Sequence, residues 1–168
     1  MLRAQKSTIE PFVSKLLPAY SRPFFKAYLS DVEIESWHGF GVKDRSTYIH
    51  DLTRSIFDLH CDSTGKLLAD REKTTFLTDR VYHLSRLEIP CKVDIGLAVT
   101  DVRDFDFRLD LGIFPVTSEH PFILVKLEQA FIDKYKRIVR VPDAAKTALS
   151  SLVSKNVYHH SHSYRYCL

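Results

Sequence analysis

Three side chains between residues 36 and 44 could carry out acid–base or nucleophilic chemistry, namely Ser36, His38 and Asp44. A serine hydroxyl is a poor nucleophile without an adjacent base. An imidazole titrates near neutral pH, so His38 could serve as that base. Residues separated by one position in an extended segment point the same way without necessarily touching, and a Ser and a His beside a glycine turn more often hydrogen-bond the turn itself. The sequence therefore leaves two interpretations of Ser36 and His38 open: a catalytic pair, or two residues that stabilise the turn.

Asp44 stands at the expected start of a helix. A carboxylate at a helix N-terminus is stabilised by the free backbone N–H groups and by the helix dipole. We therefore favour a capping or first-turn role for Asp44, with a catalytic carboxylate as the alternative.

Hydrophobic spacing predicts the elements that would position these residues. Val32 and Ile34 alternate with acidic residues, which is the period-2 pattern of a half-buried strand. Gly39 and Gly41 then provide a turn, because glycine adopts backbone conformations closed to other residues. The following segment predicts one amphipathic helix over 44–60. Its apolar residues recur at helical spacing: Tyr48, Ile49, Leu52, Ile56 and Leu59.

The second half of the chain predicts a sheet. Segments between residues 74 and 141 have the composition of strands, with prolines at the breaks. Pro142 starts a final helical segment over 143–153, where its missing N–H costs nothing. The order strand, helix, several strands predicts an α+β fold in which an antiparallel sheet wraps around one central helix.

Length and composition limit the class of protein. The 168 residues suit one compact domain, and 45% hydrophobic with 27% charged residues excludes a mainly disordered chain. We expect an N-terminal arm over 1–23, a domain over 24–153 and a polar, aromatic tail over 154–168. The net charge of +3 is too small for a nucleic-acid-binding surface. No apolar stretch approaches the ~18–20 residues of a membrane span.

Cysteines and histidines form no pattern that predicts a disulfide or a metal site. The three cysteines are far apart and include no CxxC pair, which indicates a reducing compartment. His159, His160 and His162 lie close together but have neither a cysteine pair nor flanking carboxylates beside them. We expect no bound metal and no cofactor.

The arrangement resembles the hot-dog fold, in particular the acyl-CoA thioester hydrolases related to 4-hydroxybenzoyl-CoA thioesterase. The resemblance spans 32–148 and depends on four segments: VEIESWHGFGVKDRSTYIHDLTR, LSRLEIPCKVDIG, VTDVRDFDFRLDLGIF and AFIDKYKRIVRVPDAA. It implies an antiparallel sheet around one helix, with N- and C-terminal extensions. In the resembled enzymes an acid precedes the glycine turn and a tyrosine follows twelve residues later, as Tyr48 follows Ser36.

The register of this resemblance puts Ser36 where the family has its catalytic acid and His38 where it has a second acid. The resemblance therefore implies that the catalytic carboxylate has been lost. A shifted alignment would instead bring Asp31, Glu35 or Asp44 to that place.

The resemblance also implies a substrate site around the glycine turn. Backbone N–H groups at the start of the helix, from about Val42 to Arg45, would polarise a thioester carbonyl. Trp37 and Phe40 could line an acyl pocket or cover the helix end, while Lys43 and Arg45 could meet a CoA phosphate or remain solvated. The candidate substrate-binding residues are Trp37, Gly39, Phe40, Gly41, Val42, Lys43, Arg45 and Tyr48.

Three functions follow as hypotheses. With the carboxylate lost, the chain would be an accessory or structural subunit of a larger assembly, docked on other subunits through its terminal arms. The alternatives are an active thioesterase on a fatty or aromatic acyl-CoA, and a non-catalytic acyl-CoA or acyl-carrier binding module. The resemblance implies a homodimer or a heterodimer with a similar chain. Arg3 and Lys6, with no acid before Glu10, favour the mitochondrion over the cytoplasm.

Overall fold

The computed structural model describes residues 20–34, 45–60, 72–85, 88 and 90–154, with 45–48 described by their backbone alone. Within these residues the elements follow the predicted order. They are β1 (Ala27–Ile34), α1 (Arg45–His60), β2 (Thr74–His83), β3 (Cys91–Val102), β4 (Phe107–Pro115), β5 (Ile123–Ile132), β6 (Ile138–Val139) and α2 (Asp143–Ser151), with a 3-10 turn at Arg22–Phe24 before β1.

The described strands form an antiparallel sheet. Their order is β1-β3-β4-β5-β2, and β6 pairs with the end of β5. The strands on either side of α1 in the sequence, β1 and β2, thus lie at opposite edges of the sheet. This topology confirms the predicted α+β fold with an antiparallel sheet around one central helix.

One face of the sheet carries α1, and we call it the helix-facing face. On β5, alternate residues such as Val125 and Leu127 share one buried cluster with α1. The buried apolar residues of α1 recur at i, i+3, i+7 and i+8, the spacing of one helix face: Ile49, Leu52, Ile56 and Phe57.

The last turn of α1 differs from the predicted pattern. Leu59 was expected on the buried face but is 64% exposed, whereas Phe57 is fully buried. The turn lies at the edge of the sheet, where His60 Nε2 is 3.0 Å from the carbonyl oxygen of Tyr28 in β1. Leu59 is exposed because the helix reaches the sheet boundary there.

The opposite, outer face of the sheet is covered by the segment just before β1. Phe25 lies over Gly96 and Gly112, which face each other on β3 and β4. A Cβ atom on Gly112 would come within 2.6 Å of the Phe25 ring, so the glycines make room for the aromatic side chain. Arg22 fixes the segment by donating hydrogen bonds to the carbonyl oxygen of Ser118 at 2.6 Å and to that of Pro115, the last residue of β4, at 2.9 Å. It also pairs with Asp94 at 2.8 Å.

The described part of the predicted N-terminal arm, residues 20–23, packs against this outer face. Tyr20 is buried, and its hydroxyl accepts a hydrogen bond from the Lys126 ammonium at 2.6 Å. These residues of the predicted arm therefore contribute to the packing of the outer face.

The residues that follow α2 pair with β3. Pro142 occupies the N-cap of α2, as the position of the proline predicts. After the helix, Leu152 accepts a backbone hydrogen bond from Val99 at 3.1 Å, and Ser154 donates one to Val99 at 2.8 Å. Neither described α-helix is long and apolar enough to cross a membrane.

Candidate functional site

Most residues predicted to form the site lie outside the described residues. They are Ser36, Trp37, His38, Gly39, Phe40, Gly41, Val42, Lys43 and Asp44. Arg45 and Tyr48 are placed in the first turn of α1 by their backbone. The roles given to these residues stay predictions.

The described contacts of α1 fix where its N-terminus lies. The imidazole of His60 sits at the backbone of Tyr28 on β1, at one edge of the sheet. The imidazole of His50 stacks on the Phe76 ring of β2, at the other edge, with 4.1 Å between ring centroids and 30° between ring planes. The helix therefore crosses the sheet from β2 to β1. Its N-terminal end, where the first backbone N–H groups have no partner within the helix, lies at the β2 edge.

The strand β2 has a β-bulge close to this end of the helix. Phe76 and Thr78 pair with Gln129 and Glu128, which are consecutive residues of β5. Leu77 is therefore an extra residue in β2. A bulge of this kind shifts every later side chain of the strand to the other face.

The bulge determines the direction of Asp79. If side chains alternated strictly between the two faces from Phe76 onward, Asp79 would lie on the outer face. With Leu77 inserted, Asp79 pairs instead with Leu127, which is buried under α1. Since paired residues share a face, Asp79 presents a half-buried carboxylate on the helix-facing side of the edge strand.

A buried amide lies on the same face. Gln129 occupies the alternating position between Leu127 and Phe131 on β5, and it pairs with Phe107 on β4 and Phe76 on β2. It is 0% exposed. Neither its side-chain oxygen nor its nitrogen has a hydrogen-bond partner within the part of the chain that the structure describes.

Outside this region, burial raises the pKa of two described side chains, Tyr28 and Cys91. Burial raises the pKa of the Tyr28 hydroxyl to about 12, and this hydroxyl donates a hydrogen bond to the carbonyl oxygen of Arg22. Burial also raises the pKa of the Cys91 thiol, which disfavours the reactive thiolate. Among the described residues, no group of three or more His, Cys, Asp or Glu side chains could hold a metal ion.

The site residues predicted from the sequence do not include His50, Phe76, Asp79 or Gln129. A signal existed for Gln129, because a polar residue interrupts the apolar alternation of β5 between Leu127 and Phe131. No comparable sequence signal exists for Asp79. The face of the sheet on which its side chain lies depends on a bulge that forms only when β2 pairs with β5.

Comparison with known proteins identifies the fold. No family model and no curated protein matches the sequence. Among solved structures, a protein of Pseudomonas aeruginosa has a TM-score of 0.63 at 15% identity, over 80% of this chain and 96% of that chain. A Thermus thermophilus thioesterase complexed with coenzyme A and Zn has a TM-score of 0.56 at 11% identity, over 76% and 95%. The 1,4-dihydroxy-2-naphthoyl-CoA thioesterase of Synechocystis has a TM-score of 0.55 at 11% identity, over 73% and 96%.

The chain has the hot-dog fold. The similarity to these solved structures covers 73–80% of this chain, and it confirms the fold that the sequence segments predict. At these identities it establishes the fold, while the chemistry has to be argued from the residues of this chain.

Proposed function

We propose that this hot-dog protein hydrolyses an acyl-CoA thioester at the N-terminal end of α1. The observation that carries the proposal is the bulge in β2, which turns Asp79 onto the face where the N-terminal half of α1 lies. The site then combines a carboxylate with a helix N-terminus at one sheet edge. The thioesterases among the similar structures support this choice of reaction.

Each group has a defined task in this mechanism. The Asp79 carboxylate takes a proton from a water molecule, whose oxygen forms a bond to the thioester carbonyl carbon. The carbonyl oxygen becomes an oxyanion that the backbone N–H groups of the first turn of α1 stabilise. The C–S bond then breaks, and the CoA thiolate leaves and takes up a proton. The products are the free acid and CoA.

The proposed working unit is a homodimer. Within the described part of the sheet, β2 has a neighbouring strand on one side only, β5. A second copy that pairs along β2 would cover the open edge and would close the site beside Asp79. A heterodimer with a similar chain would use the same edge.

The test is CoA release by the purified chain with a panel of short, long and aromatic acyl-CoAs. We expect turnover that falls about 10²–10⁴-fold in Asp79→Asn, because the amide cannot accept the proton. Asp101→Asn is the matched control, since it removes a half-exposed carboxylate from β3 at a position paired with Arg108 on the outer face. It should keep full activity.

Two results would contradict parts of this proposal. Turnover that Asp79→Asn leaves unchanged would remove Asp79 from the mechanism and direct mutagenesis to Asp44, Ser36 and His38. Binding of acyl-CoA without turnover by the folded wild type would indicate a non-catalytic binding module.

A second candidate function is an accessory subunit of a larger, mitochondrial assembly. It is favoured by Ser36 and His38 at the two positions where the resembled enzymes have acids. Under this proposal the folded chain neither hydrolyses nor binds any acyl-CoA of the panel. It co-purifies instead in stoichiometric amounts with other subunits from isolated mitochondria, and recovery as a free homodimer from those extracts would contradict it.

A further inference from the structure

Gln129 is a buried polar residue whose side chain stabilises no other described residue through a hydrogen bond. Its amide is fully buried between Leu127 and Phe131 along β5, with Phe76 and Phe107 as its cross-strand neighbours. Within the described residues neither amide atom makes a hydrogen bond.

An amide in this position weakens the folded state. A buried amide that loses its hydrogen bonds to water without replacement is costly, and buried side-chain polar atoms nearly always have a partner. An apolar residue of similar size would fill the same volume without that cost. The amide is therefore explained by a partner that is not part of the described chain.

The surroundings of Gln129 place it beside the proposed site. Phe76 pairs with Gln129 and carries the stacked imidazole of His50, so Gln129 lies beneath the N-terminal half of α1. His50 is the sixth residue of α1, so it lies about 8 Å along the helix from the first residue. An acyl chain attached to a carbonyl at the helix N-terminus would run along the helix-facing face toward Gln129.

We propose that Gln129 is a specificity-determining residue that binds a hydroxyl or keto oxygen on the acyl chain. This inference rests on the proposed function, because it assumes that the thioester lies at the start of α1. A hydroxyl group suits the amide best, since it donates to Oε1 and accepts from Nε2. A keto oxygen accepts from Nε2 alone, and a hydrocarbon chain leaves both atoms unpaired. The preferred order is hydroxyacyl, then ketoacyl, then plain acyl.

The experiment compares matched ligands on the full chain. Calorimetric titrations compare octanoyl-CoA with derivatives that each carry a single hydroxyl group, on one of carbons 3 to 8 of the acyl chain. The value of kcat/KM is measured for the same compounds. At least one hydroxylated derivative should bind about 100-fold more tightly than octanoyl-CoA, because a site built to hydrogen-bond a ligand rejects the analogue that lacks the group.

The variant Gln129→Met tests the residue itself. It keeps the volume and removes the hydrogen-bonding atoms, so the 100-fold preference should disappear while octanoyl-CoA binds at least as well as before. Thermal unfolding checks that the variant is folded. The matched control is Thr53→Val, which alters another fully buried polar side chain, one whose hydroxyl already bonds the Ile49 carbonyl oxygen at 2.6 Å. It should retain the preference.

The outcomes separate this inference from hydrolysis. A hydroxyl preference in binding that Gln129→Met removes supports the role of Gln129 even if no CoA is released. Hydrolysis without any hydroxyl preference, or a preference that survives in Gln129→Met, overturns the role of Gln129 and leaves the hydrolase proposal standing. If no acyl-CoA binds, both proposals are wrong.

Discussion

Buried polar side chains on the outer face have partners that account for their burial. Asp110 is buried on β4 and pairs with the Lys126 ammonium at 3.3 Å. The same ammonium donates to the Tyr20 hydroxyl at 2.6 Å. Buried charges are tolerated where they are paired and hydrogen-bonded, so these side chains hold the segment before β1 on the sheet. Gln129, on the opposite face, has no such partner among the residues that the structure describes, which is why we assign it to a ligand.

Asp104 provides a prediction about pH. Its Oδ1 accepts a hydrogen bond from the Lys146 ammonium of α2 at 2.8 Å. This bond, with the charges of Lys146 and Arg140, holds the pKa of Asp104 below its usual value. The stabilisation is therefore present above the unfolded pKa of about 3.9 and is lost as the pH falls through the lower folded value. We expect Asp104→Asn to lower the free energy of unfolding slightly at neutral pH, and this effect to shrink progressively as the pH falls below the unfolded pKa of about 3.9.

Urea unfolding of wild type and variant between about pH 3 and pH 7 checks this expectation. The effect is small because both side chains are largely exposed. Lys146→Met serves as the control, since Asp104→Asn should lose most of its effect once the ammonium is gone. A stability difference that does not change with pH would show that the ion pair is not its source.

The strand β2 shows which features a sequence predicts and which it does not. The order of strands and helices could be predicted because periods of 2 and 3.6 residues are local properties of the sequence. The single-residue shift at Leu77 is set by pairing with β5, so no local pattern reveals it. The face of Asp79 therefore could not be predicted. The exposure of Leu59 also depends on how far α1 extends across the sheet.

The segment before β1 gives a prediction about packing. Gly112→Ala would place a methyl group within 2.6 Å of the Phe25 ring and 2.8 Å of the Phe114 ring. Crowding of this kind costs about 1–3 kcal/mol of stability, because the Phe25 side chain has to leave its position. In a Phe25→Ala background the Phe114 ring has room to move, and the cost of Gly112→Ala should fall by at least ~1 kcal/mol.

Equilibrium urea unfolding of the two single variants and the double variant measures this coupling. Thr117→Ala, at an exposed turn position, is the control partner and should be additive with Phe25→Ala. Additive effects of Gly112→Ala and Phe25→Ala would mean that the glycine is not needed to seat the aromatic ring.

The path of α1 across the sheet organises the whole molecule. Its C-terminal end is held at β1 by His60, so its N-terminal end must lie at the opposite edge, beside β2. The N-terminal end of α1 and the exposed edge of β2, the strand that carries Asp79, therefore lie on the same side of the sheet. A partner that pairs along β2 would therefore affect both assembly and catalysis, whereas a partner on the outer face would meet the segment before β1.

Leu77 gives the prediction that links assembly to activity. This apolar bulge residue is 39% exposed on the edge strand. In a two-fold dimer that pairs the β2 strands, the same edge of both copies forms the contact, so each edge carries the substitution, and a lysine on such an edge opposes strand pairing. Leu77→Lys should therefore raise the dimer dissociation constant at least ~10-fold, which is about 1.4 kcal/mol. Because the proposed site closes only when β2 is covered, thioester turnover should fall with the dimer fraction.

Sedimentation velocity over a range of protein concentrations, with CoA release measured on the same samples, tests both parts. Tyr135→Lys replaces a more exposed apolar side chain, 66% exposed in the β5–β6 turn, and controls for a general effect of added charge. It should leave assembly and turnover unchanged. A Leu77→Lys protein that remains dimeric would exclude β2 as the contact, because two like charges on paired edges cannot be accommodated without loss of affinity. Full turnover by a monomeric Leu77→Lys protein would instead show that one chain contains the complete site.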